Sequence, residues 1–196
     1  MASQTDIYNL AFTHVEEEAT VGPDDTAPRV ALFDRVWETT RDGVLAAHPW
    51  NEAVRWRSIA KLSAAPAGKW TNKFLYPADC LRILTTYPNT LVWAVGSEVD
   101  DSGQAQKVIF SDADSPLVVQ HIFRLTDPNL YSPGLVRCLA LKLAHTCALK
   151  LGGSRTLKDS LFEQYKVELS EARSSDGQEG VPDEPLTDDI FTARGD

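Results

Sequence analysis

Between residues 24 and 47, Val30, Phe33, Trp37, Thr40, Val44 and Ala47 recur at spacings of three and four. That pattern predicts one helical stripe about five turns long, with Arg35, Glu38, Arg41 and Asp42 on the opposite side. Pro49 disfavours helical dihedrals at His48, so the helix should end at the His48-Pro49 step. Trp50 then supplies a large apolar anchor at a corner. Ala53, Val54, Ile59 and Leu62, set among Arg55, Arg57 and Lys61, predict a further helix over 50–64, broken by Ala65-Pro66-Ala67-Gly68. Upstream, Ile7, Leu10, Ala11 and Val15 share a face of a short first helix over 6–15. The linker 16–22 separates it from N-cap candidates in Pro23-Asp24-Asp25-Thr26.

The period then changes. Residues 81–86 and 91–95 are β-favouring runs divided by Pro88-Asn89, Asp100-Asp101-Ser102-Gly103 is a strong turn, and 107–110 reads as the returning strand. Residues 117–125 are too β-branched and aromatic for a helix. Pro133 suits a first helical turn, and 133–151 is apolar almost all round, so that helix must be buried on more than one side. Gly152-Gly153 ends it. Ser154 or Thr156 caps a last helix over 154–173, in which Leu157, Leu161, Tyr165, Leu169 and Ala172 recur every three or four residues. The expected fold is mainly α: a bundle of four to five helices (6–64 and 133–173) with a small antiparallel β insertion (81–125). It forms one domain over 1–173, followed by an acidic C-terminal arm, 174–196.

Charge changes this picture more than composition does. The 43% hydrophobic and 24% charged residues are those of an ordinary globular domain, and no apolar run reaches the length of a membrane span. The net charge of −9 is uneven: the first 25 residues and the last 26 carry −6 each, and the body between them is mildly basic at +3. Acidic ends on a basic body suggest contact with something positive, such as the body of a neighbouring copy, or simply solvated ends. Cys80, Cys138 and Cys147 form no CxxC pair and fit buried thiols in a reducing compartment.

Candidate chemistry is sparse. Gly152-Gly153-Ser154-Arg155 lacks the lysine and spacing of a phosphate loop. His145 and Cys147 point to different sides of one helix, and His14, His48 and His121 have no acid or cysteine at ligand spacing. The expectation is a protein without catalytic residues, metal or cofactor. Two segments could meet a partner. Arg55, Arg57, Lys61, Lys69, Lys73 and Arg82 are interleaved with Trp56, Trp70, Phe74 and Tyr76. That mixture reads as a face receiving an acidic segment, as a nucleic-acid surface, or as solvated cations over inward aromatics. At the other end, Leu186, Ile190 and Phe191 stand among Asp183, Glu184, Asp188 and Asp189, as in a segment that folds onto a partner.

The order of helix, Pro49-Trp50 corner, helix, and Pro77-Ala78-Asp79 entry into strands, from about Ile7 to Arg173, resembles the tail tubular protein A family of tailed phages. In that resemblance Trp50 matches the corner tryptophan and Pro77-Ala78-Asp79 the strand entry. It implies a helical bundle with a small β insertion in a structural head-to-tail adaptor of the virion, assembled in the host cytoplasm. Its partners would be the portal, other copies in a ring (commonly a dodecamer) and the tail nozzle. The ring would extend a channel through which DNA passes without sequence-specific binding. The C-terminal segment, with Leu186, Asp188, Asp189, Ile190 and Phe191, would reach the portal or a neighbouring subunit. Arg55, Arg57, Lys61, Lys69 and Lys73 are the candidate receiving face. The alternative is a cytoplasmic nucleic-acid-binding or regulatory helical module built on 55–82.

Overall fold

The computed structural model describes residues 2–15, 21–22, 25–66, 68–100 and 102–179. Ser3 opens α1 (Gln4–His14) through a reciprocal cap: its hydroxyl accepts from the Asp6 amide, and the Asp6 carboxylate accepts from the Ser3 amide. α2 (Pro28–Ala47) begins later than the expected start at 24, with Pro28 in the first turn and no side-chain cap. Its predicted stripe is buried at Val30, Phe33, Trp37, Thr40 and Val44. Tyr8 and Phe12 of α1 pack their rings on Phe33 and Trp37. α2 stops at His48, whose extended backbone (φ −143°, ψ 145°) is the conformation a following proline favours.

The helix expected over 50–64 is absent. Asn51–Ala53 make one 3-10 turn, and the chain then enters β1 (Val54–Ile59). The reason is non-local. β1 pairs along its whole length with β6 (Leu117–Phe123), Val54 opposite Ile122 and Ile59 opposite Leu117. Its β-branched and aromatic residues suit that pairing better than the loose helical spacing suits a helix. The mainly α bundle is therefore corrected to a mixed fold. Among the described residues, four α-helices frame two three-stranded antiparallel sheets, and the β region begins at Val54 instead of at 81.

The remaining strands are β2 (Asn72–Leu75), β3 (Cys80–Tyr87), β4 (Trp93–Val99) and β5 (Ala105–Ser111), and the sheets are ordered β1-β6-β3 and β2-β5-β4. The expected hairpin turn is present: the Asp100 carboxylate accepts from the amides of Ser102 and Gln104, and Gly103 takes φ +82°. The first sheet is the middle of three layers. Ile59, Ile83, Leu117 and Val119 share one core with Phe74 and Ile109 of the second sheet, whereas Ile122 joins the core of the helices. β3 faces both layers, and register shifts at Cys80/Arg82 and Ile83/Thr85 break its strict alternation, so that Cys80 and Ile83 share one core while Leu81 and Leu84 face the helices.

α3 (Pro133–Cys147) packs against α1, α2 and the last helix, α4 (Arg155–Gln178), as an all-round apolar helix must. Gly134 lets α4 come close: a Cβ there would lie 2.8 Å from that of Ala172. Ser154 is the α4 N-cap, and α4 runs past the expected end at 173 to bury Asp176. Among the described residues no helix is long and apolar enough to cross a membrane.

Candidate interaction surfaces

The Pro49-Trp50 corner joins the two ends of the helical layer. Trp50 is 1% exposed, and its indole nitrogen donates to the Val44 carbonyl at 3.1 Å, one of those that the end of α2 leaves free. The Asp176 carboxylate reaches the corner from α4. It lies 2.7 Å from His48 Nε2 and accepts from the Asn51 amide at 3.1 Å, while the Asn51 side chain donates back to the Asp176 carbonyl. Arg173 adds a bond to the Ala47 carbonyl. The sequence offered little sign of this clamp, because Ser174-Ser175-Asp176-Gly177 reads as a helix end. Every polar group of the corner named here has a partner inside the chain.

The basic segment is dispersed. Pro77-Ala78-Asp79-Cys80 is a turn closed by the Cys80 amide on the Pro77 carbonyl, and it aims the Asp79 carboxylate at Arg55 and Arg57 of β1. The Arg55 guanidinium also lies 4.2 Å above the Phe123 ring and contacts His121 Nε2. His121 is fully buried, and desolvation, then the charges of Arg55 and Arg57, hold its pKa below the ordinary value. Lys73 is buried in the other sheet, with its ammonium 2.7 Å from Glu98. Lys61 is exposed beside β2, to which its backbone bridges at Phe74, and Lys69 lies over Trp70. Of the five candidate receiving cations the structure brings together Arg55 and Arg57, and it gives both to Asp79. Leu186, Asp188, Asp189, Ile190 and Phe191 lie outside the described residues.

A second cationic and aromatic group was missed. Lys142 of α3 sits 5.0 Å from the Phe162 ring and 4.9 Å from that of Tyr165, and Lys166 lies 5.2 Å from Phe162 on its own helix. The His145 ring packs on Phe162 at 5.1 Å, with Nδ1 buried and without a hydrogen-bond partner. Burial lowers the Lys142 pKa, and burial followed by Lys142 and Lys158 lowers that of His145. Lys166 pairs with Glu163, but Lys142 and Lys158 have no carboxylate within ion-pair distance among the described residues. The signal was present: Lys158, Phe162 and Lys166 recur every four residues, one side of a helix. It was invisible as a cluster because Lys142 and His145 come from another helix.

The thiols offer little chemistry. All three cysteines are buried and unpaired, and desolvation pushes Cys138 up to about 12 and Cys147 to about 11, so both are neutral thiols near pH 7. No group of three His, Cys, Asp or Glu able to hold a metal occurs among the described residues. Compared with family models and with curated proteins, the chain has no match.

Proposed function

We propose that this chain is a structural head-to-tail adaptor of a tailed phage, similar to tail tubular protein A. It assembles with other copies as a ring beneath the portal, extends the DNA channel and docks the next tail component. The observation that carries this reading is the location of exposed apolar side chains. Trp56, Leu75, Tyr87, Val92, Val95 and Val99 all belong to the strands or the β3–β4 connection, whereas Leu130, Leu149, Phe162 and Val167 are the large ones exposed elsewhere. β4, which carries Val95 and Val99, is also an edge strand of its sheet. An apolar edge is a template for another chain. The corner and strand-entry motifs keep their order and support the same reading, although the helix that the resemblance places between them is β1. Against the alternative module on 55–82, Arg55, Arg57 and Lys73 are already committed to Asp79 and Glu98.

Electron microscopy of the chain mixed with the portal of the same phage tests the proposal. Closed rings seated on the portal are expected. Val95→Asp with Val99→Asp should abolish them while the circular-dichroism spectrum is retained. Folded chain and folded portal that stay separate would overturn it.

A further inference from the structure

We propose that the cluster around Phe162 on α3 and α4 receives the acidic C-terminal segment, residues 180–196, of a second copy of this chain. The inference rests on the adaptor reading only in expecting copies to meet; the site itself follows from charge and packing. Lys142 and Lys158 lack a carboxylate partner among the described residues, and Lys142 is partly desolvated against two aromatic rings. A cation held in that way gains from an incoming carboxylate. Phe162, 37% exposed between Lys142 and Lys166, adds an apolar landing point.

Residues 180–196 carry the complementary pattern. Asp183, Glu184, Asp188, Asp189 and Asp196 stand against Arg194, with Leu186, Ile190 and Phe191 among the acids. Carboxylates of this run can meet the ammonium groups while Ile190 or Phe191 covers the Phe162 ring. The basic residues of β1 are a poorer receiver, because Asp79 already neutralises Arg55 and Arg57.

A second copy fits better than the same chain. Helical rise puts Phe162 about 25 Å behind the end of α4. With Asp176 buried in the corner, the surface from Phe162 to the C-cap carries Glu163, Glu168, Glu171 and Glu179 against Lys166, Arg173 and Arg137, the partner of Glu168, a small acidic excess. A segment doubling back on its own helix would cross a like-charged surface, whereas the segment of a neighbour avoids it. Such a contact joins two different patches, so it is head-to-tail and propagates into a ring or filament.

The test mixes full-length variants. Lys142→Glu with Lys158→Glu spoils the receiving site, and Ile190→Asp with Phe191→Asp spoils the segment. Each variant alone should self-associate at least tenfold more weakly than the parent chain in sedimentation, with circular dichroism unchanged. Mixed, the two should form a heterodimer, because one good segment then meets one good site. Association should weaken about tenfold between 50 and 500 mM NaCl. A labelled 180–196 peptide should bind the Ile190→Asp, Phe191→Asp protein and not the lysine variant. Peptide binding that survives Lys142→Glu with Lys158→Glu, or disappears in Arg55→Glu with Arg57→Glu, would overturn the site. Single variants that stay dissociated when mixed would overturn the second copy as donor, and DNA retardation without peptide binding would overturn the ligand class. Peptide binding without rings on the portal would count against the adaptor reading alone.

Discussion

Of the places where this molecule holds a cation against an aromatic ring, two also set a histidine beside it, and these two differ in one feature. On the first sheet, Arg55 lies over Phe123 and beside His121, and Asp79 closes the arrangement by taking both Arg55 and Arg57. Between α3 and α4, Lys142 lies over Phe162 and Tyr165 beside His145; Glu163 pairs with Lys166 at its rim, but among the described residues no carboxylate lies within ion-pair distance of Lys142 or Lys158. The first region is closed and the second open. A dense run of arginine and lysine in a sequence therefore says less about a binding face than the fate of each counter-charge does. Both regions hang on the frame fixed by Trp50 and Asp176, so the predictions begin with the frame.

Trp50→Ala should remove a fully buried aromatic from the helical core and cost about 3–5 kcal/mol, read as a fall in the urea midpoint. A midpoint unchanged within error would mean that the corner does not hold the frame. Asp176→Ala should cost about 2–3 kcal/mol, because the Asn51 amide and His48 lose their acceptor in a part-buried site. Asp176→Asn should recover part of that loss by keeping one acceptor oxygen.

This frame was legible only in part. Trp50 could be named as an anchor because proline and tryptophan act locally, and the stripe of α2, the all-round apolar α3 and the Asp100–Gly103 turn are local signals too. β1 was not legible, since its pairing with β6 lies far along the chain and its apolar residues admit a helical spacing. Asp79 was visible in the Pro77-Ala78-Asp79 strand entry but not as the counter-charge of Arg55 and Arg57, because that needs β1 to be a strand. The Phe162 cluster needs α3 and α4 side by side. What the sequence concealed was long-range in each case.

Removing the counter-charge should turn the closed region into an open one. Asp79→Ala should cost only about 1 kcal/mol, since the carboxylate and both guanidinium groups are partly exposed and screened. It should also leave Arg55 and Arg57 free to bind an added polyanion, heparin for instance, in a salt-dependent way. No gain in heparin affinity would break the comparison. At the open region Lys142→Gln with Lys158→Gln breaks no ion pair among the described residues, and the loss should stay within about 0.5–1 kcal/mol, the contacts of Lys142 with the Phe162 and Tyr165 rings. A large destabilisation would show that these lysines have a structural partner after all.

The smallest expected effect compares the two histidines. His121 and His145 both have pKa values lowered first by burial and next by neighbouring cations, Arg55 and Arg57 for His121, Lys142 and Lys158 for His145, with Asp159 opposing at the latter. A histidine with a depressed folded pKa stays neutral in the native state while the unfolded chain takes up a proton as pH falls through about 6.5. Its contribution to stability is therefore complete above that pH and is lost progressively below it. Urea midpoints at pH 7.5, 6.5 and 5.5 should fall in that order. His121→Gln should flatten the dependence more than His145→Gln, because His121 is fully buried and His145 only partly so. The two regions should also separate under added anion. Saturating the open cluster with the 180–196 peptide brings carboxylates beside His145, favours its protonated form and should shrink its share of the acid loss, while His121 keeps its own. Equal shrinkage at both histidines would show that the peptide acts on the whole molecule and not at the cluster.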